Sequence, residues 1–221
     1  MILETNSKVL FVGDSVTDAG RDYQALPGTA ESLGDGYPNL ISAALTAIYP
    51  ERRIMVENQG VNGNTTASLV DRWQTDVLDR KPDYVTILIG INDVWRHFDS
   101  TFYHPTDLVS SELYMKNLSW MIDVTQPHVK ALTIMSPFMF IPQGSEPMRQ
   151  MVDQYRQVAE ALAVKNHCRY LDIQAAIDAY LQHNSSYILS ADRVHPNIKG
   201  HMLITTQWLN AIDFDWTHAQ A

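Results

Sequence analysis

The sequence predicts an α/β fold built on one parallel sheet of about five strands, and three observations carry that expectation. Short apolar runs rich in β-branched residues alternate with longer stretches of helical period, the pattern of βαβ units. The runs are nearly continuous in apolar residues, as strands covered on both faces must be. Finally, 221 residues with 45% apolar side chains suit one continuous core. No repeat, charge block or Pro/Gly-rich linker divides the chain, so residues 1–221 read as a single domain.

Strands are expected at residues 9–12, 54–56, 84–89, 131–135 and 170–173. A helix at residues 37–49 puts Leu40, Ile41, Ala44, Leu45 and Ile48 on one face, and one at 148–164 does so with Met151, Val152, Tyr155, Val158, Ala159 and Leu162. A last amphipathic run covers residues 198–209. The least regular stretches, 21–36, 98–111 and 136–147, all begin past a predicted strand. Loops leaving the carboxyl ends of parallel strands build the binding crevice of such a sheet, so substrate contacts are expected there.

Charge and composition narrow the function. Lys and Arg total 16 against 25 for Asp and Glu, a net −9 that repels phosphate backbones and anionic membrane surfaces, so neither nucleic acid nor membrane is an expected partner. A lone Cys168 forms no intrachain disulfide and reads as a small buried residue. The N-terminus has no basic and apolar signal pattern, and no run is long enough to span a bilayer, which reads as cytoplasmic. His97 and His104 lack companions at metal-site spacing and read as surface residues, so no metal or cofactor is expected.

Four groups of residues carry chemistry. Gly13-Asp14-Ser15 follows the first strand and sets a hydroxyl where a strand breaks into a turn. Asp192-Arg193-Val194-His195-Pro196 places a carboxylate three residues before an imidazole. A serine hydroxyl is too weak an acid to attack a carbonyl unaided; it needs an imidazole to take its proton and a carboxylate to hold that ring. After the second strand, Gly60 and Gly63 permit turns that aim a backbone amide outward, with Thr65 or Thr66 opening the next helix. After the third comes Gly90-Ile91-Asn92-Asp93. Amides of Ser15, Gly63 and Asn92 would together receive the negative oxygen formed when a carbonyl is attacked. Singly, each has a plainer reading: Asp192 as a turn cap, Pro196 as the first residue of a helix, Asn92-Asp93 as a capping pair.

Taken jointly and in this order, the blocks resemble the SGNH (GDSL) hydrolase family. The resemblance implies a flavodoxin-like three-layer sandwich, Ser15 as nucleophile, His195 as base and Asp192 as its orienter. It also implies an oxyanion hole of Ser15, Gly63 and Asn92. No Gly-x-Ser-x-Gly elbow surrounds Ser15, which disfavours the ordinary α/β-hydrolase pattern. The likeness is closest to the bacterial intracellular acetylxylan esterases of that family, through residues 90–96, Glu146-Pro147-Met148-Arg149 with Asp153-Gln154-Tyr155, the Asp192 block and Gly200-His201-Met202. Val16 departs conservatively from the usual Ile or Leu. The implied activity is removal of acetyl groups from acetylated carbohydrates by a homo-oligomer. A lysophospholipase or thioesterase on the same scaffold, or a binding module without turnover, are the alternatives.

Asp14, Trp95, Arg96 and Tyr103 are the candidate substrate contacts. Trp95 reads equally as a platform for a sugar face or as packed core. Arg96 receives a sugar hydroxyl or pairs with Asp93 or Asp99 on a solvated face. Met135, Phe138, Met139 and Phe140 wall an acyl pocket or belong to the core. The tail Phe214-Asp215-Trp216 covers an edge of its own subunit or of a neighbour.

Overall fold

In the computed structural model, β1 (Lys8–Gly13) turns Leu10 and Val12 to one face and Val9 and Phe11 to the other, and all four are fully buried. That two-residue alternation between two apolar layers is why the run is continuously apolar. The structure describes residues 2–99, 108–142 and 144–218. The other strands are β2 (Met55–Gly60), β3 (Tyr84–Leu88), β4 (Ala131–Met135) and β5 (Arg169–Leu171), all parallel, in the order β2-β1-β3-β4-β5. This is the flavodoxin-type arrangement, in which the order of strand addition reverses between β1 and β3, where the ligand crevice of such sheets opens.

Helices α4 (Thr66–Trp73), α6 (Ser111–Thr125) and α7 (Pro147–Lys165) cover the face of Leu10 and Val12. Helices α3 (Tyr37–Ile48), α8 (Ile173–Leu181) and α9 (Ile198–Ala211) cover the face of Val9 and Phe11. The result is the expected three-layer sandwich. Short helices α1 (Ser15–Asp18), α2 (Ala30–Leu33) and α5 (Ile91–Trp95) lie in the loops that leave the strands.

Two expected strands shift. The second runs to Gly60 rather than stopping at Val56, although Glu57, Asn58 and Gln59 are polar and buried. Glu57 is ion-paired with Lys8 at 3.0 Å and Arg80 at 3.1 Å, and the Asn58 amide donates to the carbonyls of Thr17 and Leu33. Such partners make polar strand residues tolerable in a core. The fifth ends at Leu171, two residues before Ile173, because the Asp172 carboxylate caps α8 by accepting from Ala175 N–H at 3.0 Å. Pro196 likewise precedes α9, whose cap is Asn197.

Strand ends set the heights of the outgoing loops. Gly13 is in register with Gly60 and with Leu88, so the chain leaves β1, β2 and β3 at one level. A Cβ on Gly60 would stand 2.1 Å from the backbone nitrogen of Asp18, so only glycine lets the end of β2 lie against α1.

Candidate active site

Ser15 opens α1, and its turn is held by the Asp14 side chain, which accepts from Val16 N–H at 3.0 Å. Ser15 is only partly buried, with its Oγ 2.9 Å from Nε2 of His195 across 180 residues of chain. On the other side of that ring, Nδ1 lies 2.6 Å from Oδ2 of Asp192. Oδ1 of the same carboxylate accepts from the backbone N–H of Val194 at 3.0 Å and of His195 at 2.8 Å, and from the Ser190 hydroxyl at 3.1 Å. Asp192 therefore caps its turn and contacts the imidazole with the same carboxylate. Arg193, between them, takes a left-handed backbone with φ of 68°, and its carbonyl accepts from Phe140 N–H at 2.8 Å. Partial burial pushes the Asp192 carboxyl up, but the hydrogen bonds from His195 and Val194 outweigh it and hold the group at about 2.

The loops after β1, β2 and β3 are laced together. Val61 N–H donates to Gly13 O at 3.1 Å, and the Asn92 amide nitrogen donates to Asn64 O at 3.1 Å. Gly63, at φ of 75°, sits in the turn between those contacts. Arg72 on α4 donates to Gly13 O at 3.1 Å, Gln59 O at 2.9 Å and Asn64 Oδ1 at 2.7 Å. Asn92 is buried, and its neighbour Asp93, also buried, accepts from Thr66 N–H and the Thr66 hydroxyl. Burial pushes the Asp93 carboxyl up to about 6 against those bonds, and the Asp14 carboxyl up to about 7. Arg72 and Asn117, whose amide donates to Thr66 Oγ1 at 3.2 Å, belong to this assembly without any motif to announce them, whereas Thr66 opens α4 as expected. Their one sequence signal is a polar side chain on helices otherwise turned to the core.

The candidate substrate contacts divide. Trp95 packs partly on the core and stands 6.0 Å from the His195 ring between centroids. An Arg96 guanidinium nitrogen lies 3.4 Å from where a Cβ on Gly63 would be. Asp93, offered as its surface partner, is instead buried on Thr66. Asp14 is 1% exposed and lies beneath the turn. Tyr103, with His104, lies outside the described residues. His97 is half-buried rather than on the surface, with Nε2 3.0 Å from Val109 O. Met135, Phe138, Met139 and Phe140 are all buried core, and the void lined by Asp14, Val16, Ile91, Pro137 and Phe138 measures about 10 Å³.

Room alone does not mark the site. A groove of about 550 Å³ lies at the opposite end of the sheet between Gln126, Lys130, Leu132, Cys168 and Arg169. Cys168, expected to be buried, is half-buried there, and burial pushes its thiol up to about 11, which disfavours the thiolate. Among the described residues no group of three or more metal-ligating side chains gathers, and no helix is long and apolar enough to cross a membrane.

A serine, histidine and aspartate in line at the switch point of a parallel sheet define the class of serine-dependent ester hydrolases. The family model of the GDSL-like lipases and acylhydrolases matches residues 11–203, and the chain belongs to that family. It is 38% identical over 220 residues to an acetylxylan esterase of Geobacillus stearothermophilus, covering 100% of each chain. The crystal structure of that organism's acetylxylan esterase Axe2 superposes with a TM-score of 0.94 at 38% identity, again over 100% of both chains. LAE5, an α/β hydrolase from a Lake Arreo metagenome, superposes with a TM-score of 0.93 at 40% identity, covering 97% of this chain and 98% of its own. Other neighbours are catalytic mutants of Axe2 in which a serine, a histidine or an aspartate is replaced by alanine.

Proposed function

We propose that the chain removes O-acetyl groups from acetylated xylo-oligosaccharides through an acetyl-enzyme on Ser15. The observation that carries this reading is the relay of 2.9 Å from Ser15 Oγ to His195 and 2.6 Å from His195 to Asp192. In the proposed reaction His195 Nε2 takes the hydroxyl proton as Ser15 Oγ bonds to the acetyl carbon. The carbonyl oxygen becomes an oxyanion received by the N–H groups of Ser15 and Gly63 and the Asn92 amide. Collapse breaks the bond to the sugar oxygen, which leaves with the proton from His195. Water, deprotonated by His195 in turn, attacks the acetyl-enzyme, and acetate departs as Ser15 recovers its proton. Asp192 keeps the ring in the required tautomer and stabilises its charged form.

The void beside the Ser15 turn measures only about 10 Å³, which supports a small acyl group. The Trp95 ring next to His195 offers an apolar face of the kind that covers sugar C–H bonds. The similarity to acetylxylan esterases points the same way. The proposal extends to a cytoplasmic, homo-oligomeric protein without nucleic-acid or membrane partners, as the net charge of −9 suits. A fluorophosphonate probe should label the protein and not Ser15→Ala. Mass spectrometry should show acetylated xylo-oligosaccharides losing whole acetyl groups. Absence of labelling, or faster cleavage of p-nitrophenyl octanoate than of the acetate, would overturn the reading.

A further inference from the structure

The Asp93 carboxylate is fully buried yet contacts neither Ser15 nor the His195 ring by any hydrogen bond the structure records. Both of its oxygens accept from Thr66. Thr66 N–H donates to Oδ1 at 3.0 Å and Oδ2 at 3.1 Å, and the Thr66 hydroxyl donates to Oδ1 at 2.5 Å. The hydroxyl oxygen in turn accepts from the Asn117 amide at 3.2 Å, so the chain of donors runs from α6 through the first residue of α4 to α5. A buried anion is costly to keep unless every bond it accepts is in place, so these partners are locked rather than interchangeable.

The position of this lock is informative. Asp93 is the residue after Asn92, and Thr66 is three residues after Gly63. The Asn92 amide already donates to Asn64 O, closing a second tie between the same two loops. We propose that Asp93, acting through Thr66, is a positioning residue that fixes the Asn92 and Gly63 donors at the spacing an oxyanion needs. The proposal rests on the reading of Ser15, Gly63 and Asn92 as the oxyanion donors. Aspartate suits the task because it accepts without donating, so it grips an N–H and an O–H together. An asparagine would turn an N–H toward one of the Thr66 donors.

A double-mutant cycle on p-nitrophenyl acetate hydrolysis tests this. Thr66→Val keeps the shape of the side chain while removing the hydroxyl that Asp93 grips. It should lower kcat by about tenfold or more with KM within about twofold, since donor displacements of under 1 Å act on the transition state. Thr66→Ser should return kcat to within about threefold, because the hydroxyl is restored. In an Asn92→Ala background, Thr66→Val should cost clearly less than in the parent, because one of the two donors it positions is gone and only the Gly63 donor is left to displace. Asp93→Asn should give the same kcat and KM split, and if it does not fold, the Thr66 cycle decides alone. Phe214→Ala, at the far end of the sheet, supplies the control for lost stability without lost positioning. Equal losses from Thr66→Val in both backgrounds, or a kcat within about twofold of the parent, would overturn the proposal. A slow Asn92→Ala accompanying either result would leave the oxyanion reading intact, whereas a near-normal Asn92→Ala would sink both together.

Discussion

Two aspartates near Ser15 carry opposite environments, and each supports a different experiment. Asp192 is exposed enough to be solvated and accepts from the His195 ring and from two backbone amides, which holds it at about 2. Its folded value lies below its unfolded one, so the stability it contributes is present above about 4 and is lost as pH falls through about 2. The orienting charge is thus in place throughout the neutral and mildly acidic range. Asp192→Asn should retain the turn, because an amide oxygen can still accept from Val194 and His195. It should present N–H to the ring, select the wrong tautomer and lower kcat by roughly 10³ to 10⁴ with an unchanged melting temperature, read by steady-state kinetics beside calorimetry. Asp14 is the reverse. Burial raises its carboxyl to about 7, so the native state holds a proton that the unfolded state has released above about 4, and stability falls as pH rises between the two. Asp14→Asn keeps the cap on Val16 N–H and removes that cost. Its stabilisation relative to the parent should grow by about 1–3 kcal/mol from pH 5 to pH 8 in denaturant unfolding. A gap that shrinks with rising pH would refute it.

At the scale of elements, the α3–α9 contact is pinned by a histidine on the last helix. His201 on α9 is buried, and its Nδ1 accepts from the backbone N–H of Tyr37 at 3.2 Å, satisfying a first-turn amide of α3. Burial, with the His195 charge as a smaller cause, lowers the imidazole to about 4. The unfolded chain takes up its proton near 6.5 while the native state resists, so stability is lost as pH falls from about 6.5 to about 4. His201→Gln keeps an acceptor and removes the titration. Its melting temperature should fall less than that of the parent between pH 7 and pH 4.5. Elements were legible where one force dominated: continuous apolar runs gave β1, β3 and β4, and a 3.6-residue stripe gave α3, α7 and α9. β2 was cut short because Glu57, Asn58 and Gln59 look like surface residues until Lys8, Arg80 and the α1 carbonyls are beside them. β5 was drawn too long because Ile173 is equally apolar in a strand and in a helix, and only the Asp172 cap separates them.

Across the whole molecule, the sheet sorts chemistry and anchorage to opposite ends. Ser15, Gly63 and Asn92 leave the carboxyl ends of β1, β2 and β3, and Asp192 and His195 fold back onto them from far along the chain. That juxtaposition was legible because chemistry restricts which residue types serve as nucleophile, base and orienter. The Arg72, Thr66 and Asn117 contacts were not, since an arginine or an amide on a helix has many uses and only the tertiary partner selects one. At the other end, Ile2 N–H donates to Ile212 O at 3.0 Å beside the start of β1. There Phe214 is buried against Tyr49 with ring centroids 5.1 Å apart, while Trp216, edge-to-face with Phe214, stays half exposed. The aromatic tail therefore covers an edge of its own subunit. Truncating a buried aromatic removes its transfer free energy and leaves a cavity, so Phe214→Ala should lose about 3 kcal/mol of stability. Because β1 and its neighbours separate that cavity from the Ser15 turn by their full length, kcat/KM at 25 °C should stay within about twofold of the parent. A matching loss of activity in a variant still folded at the assay temperature would mean that the two ends of the sheet are coupled, and that anchorage at the base reaches the relay at the top.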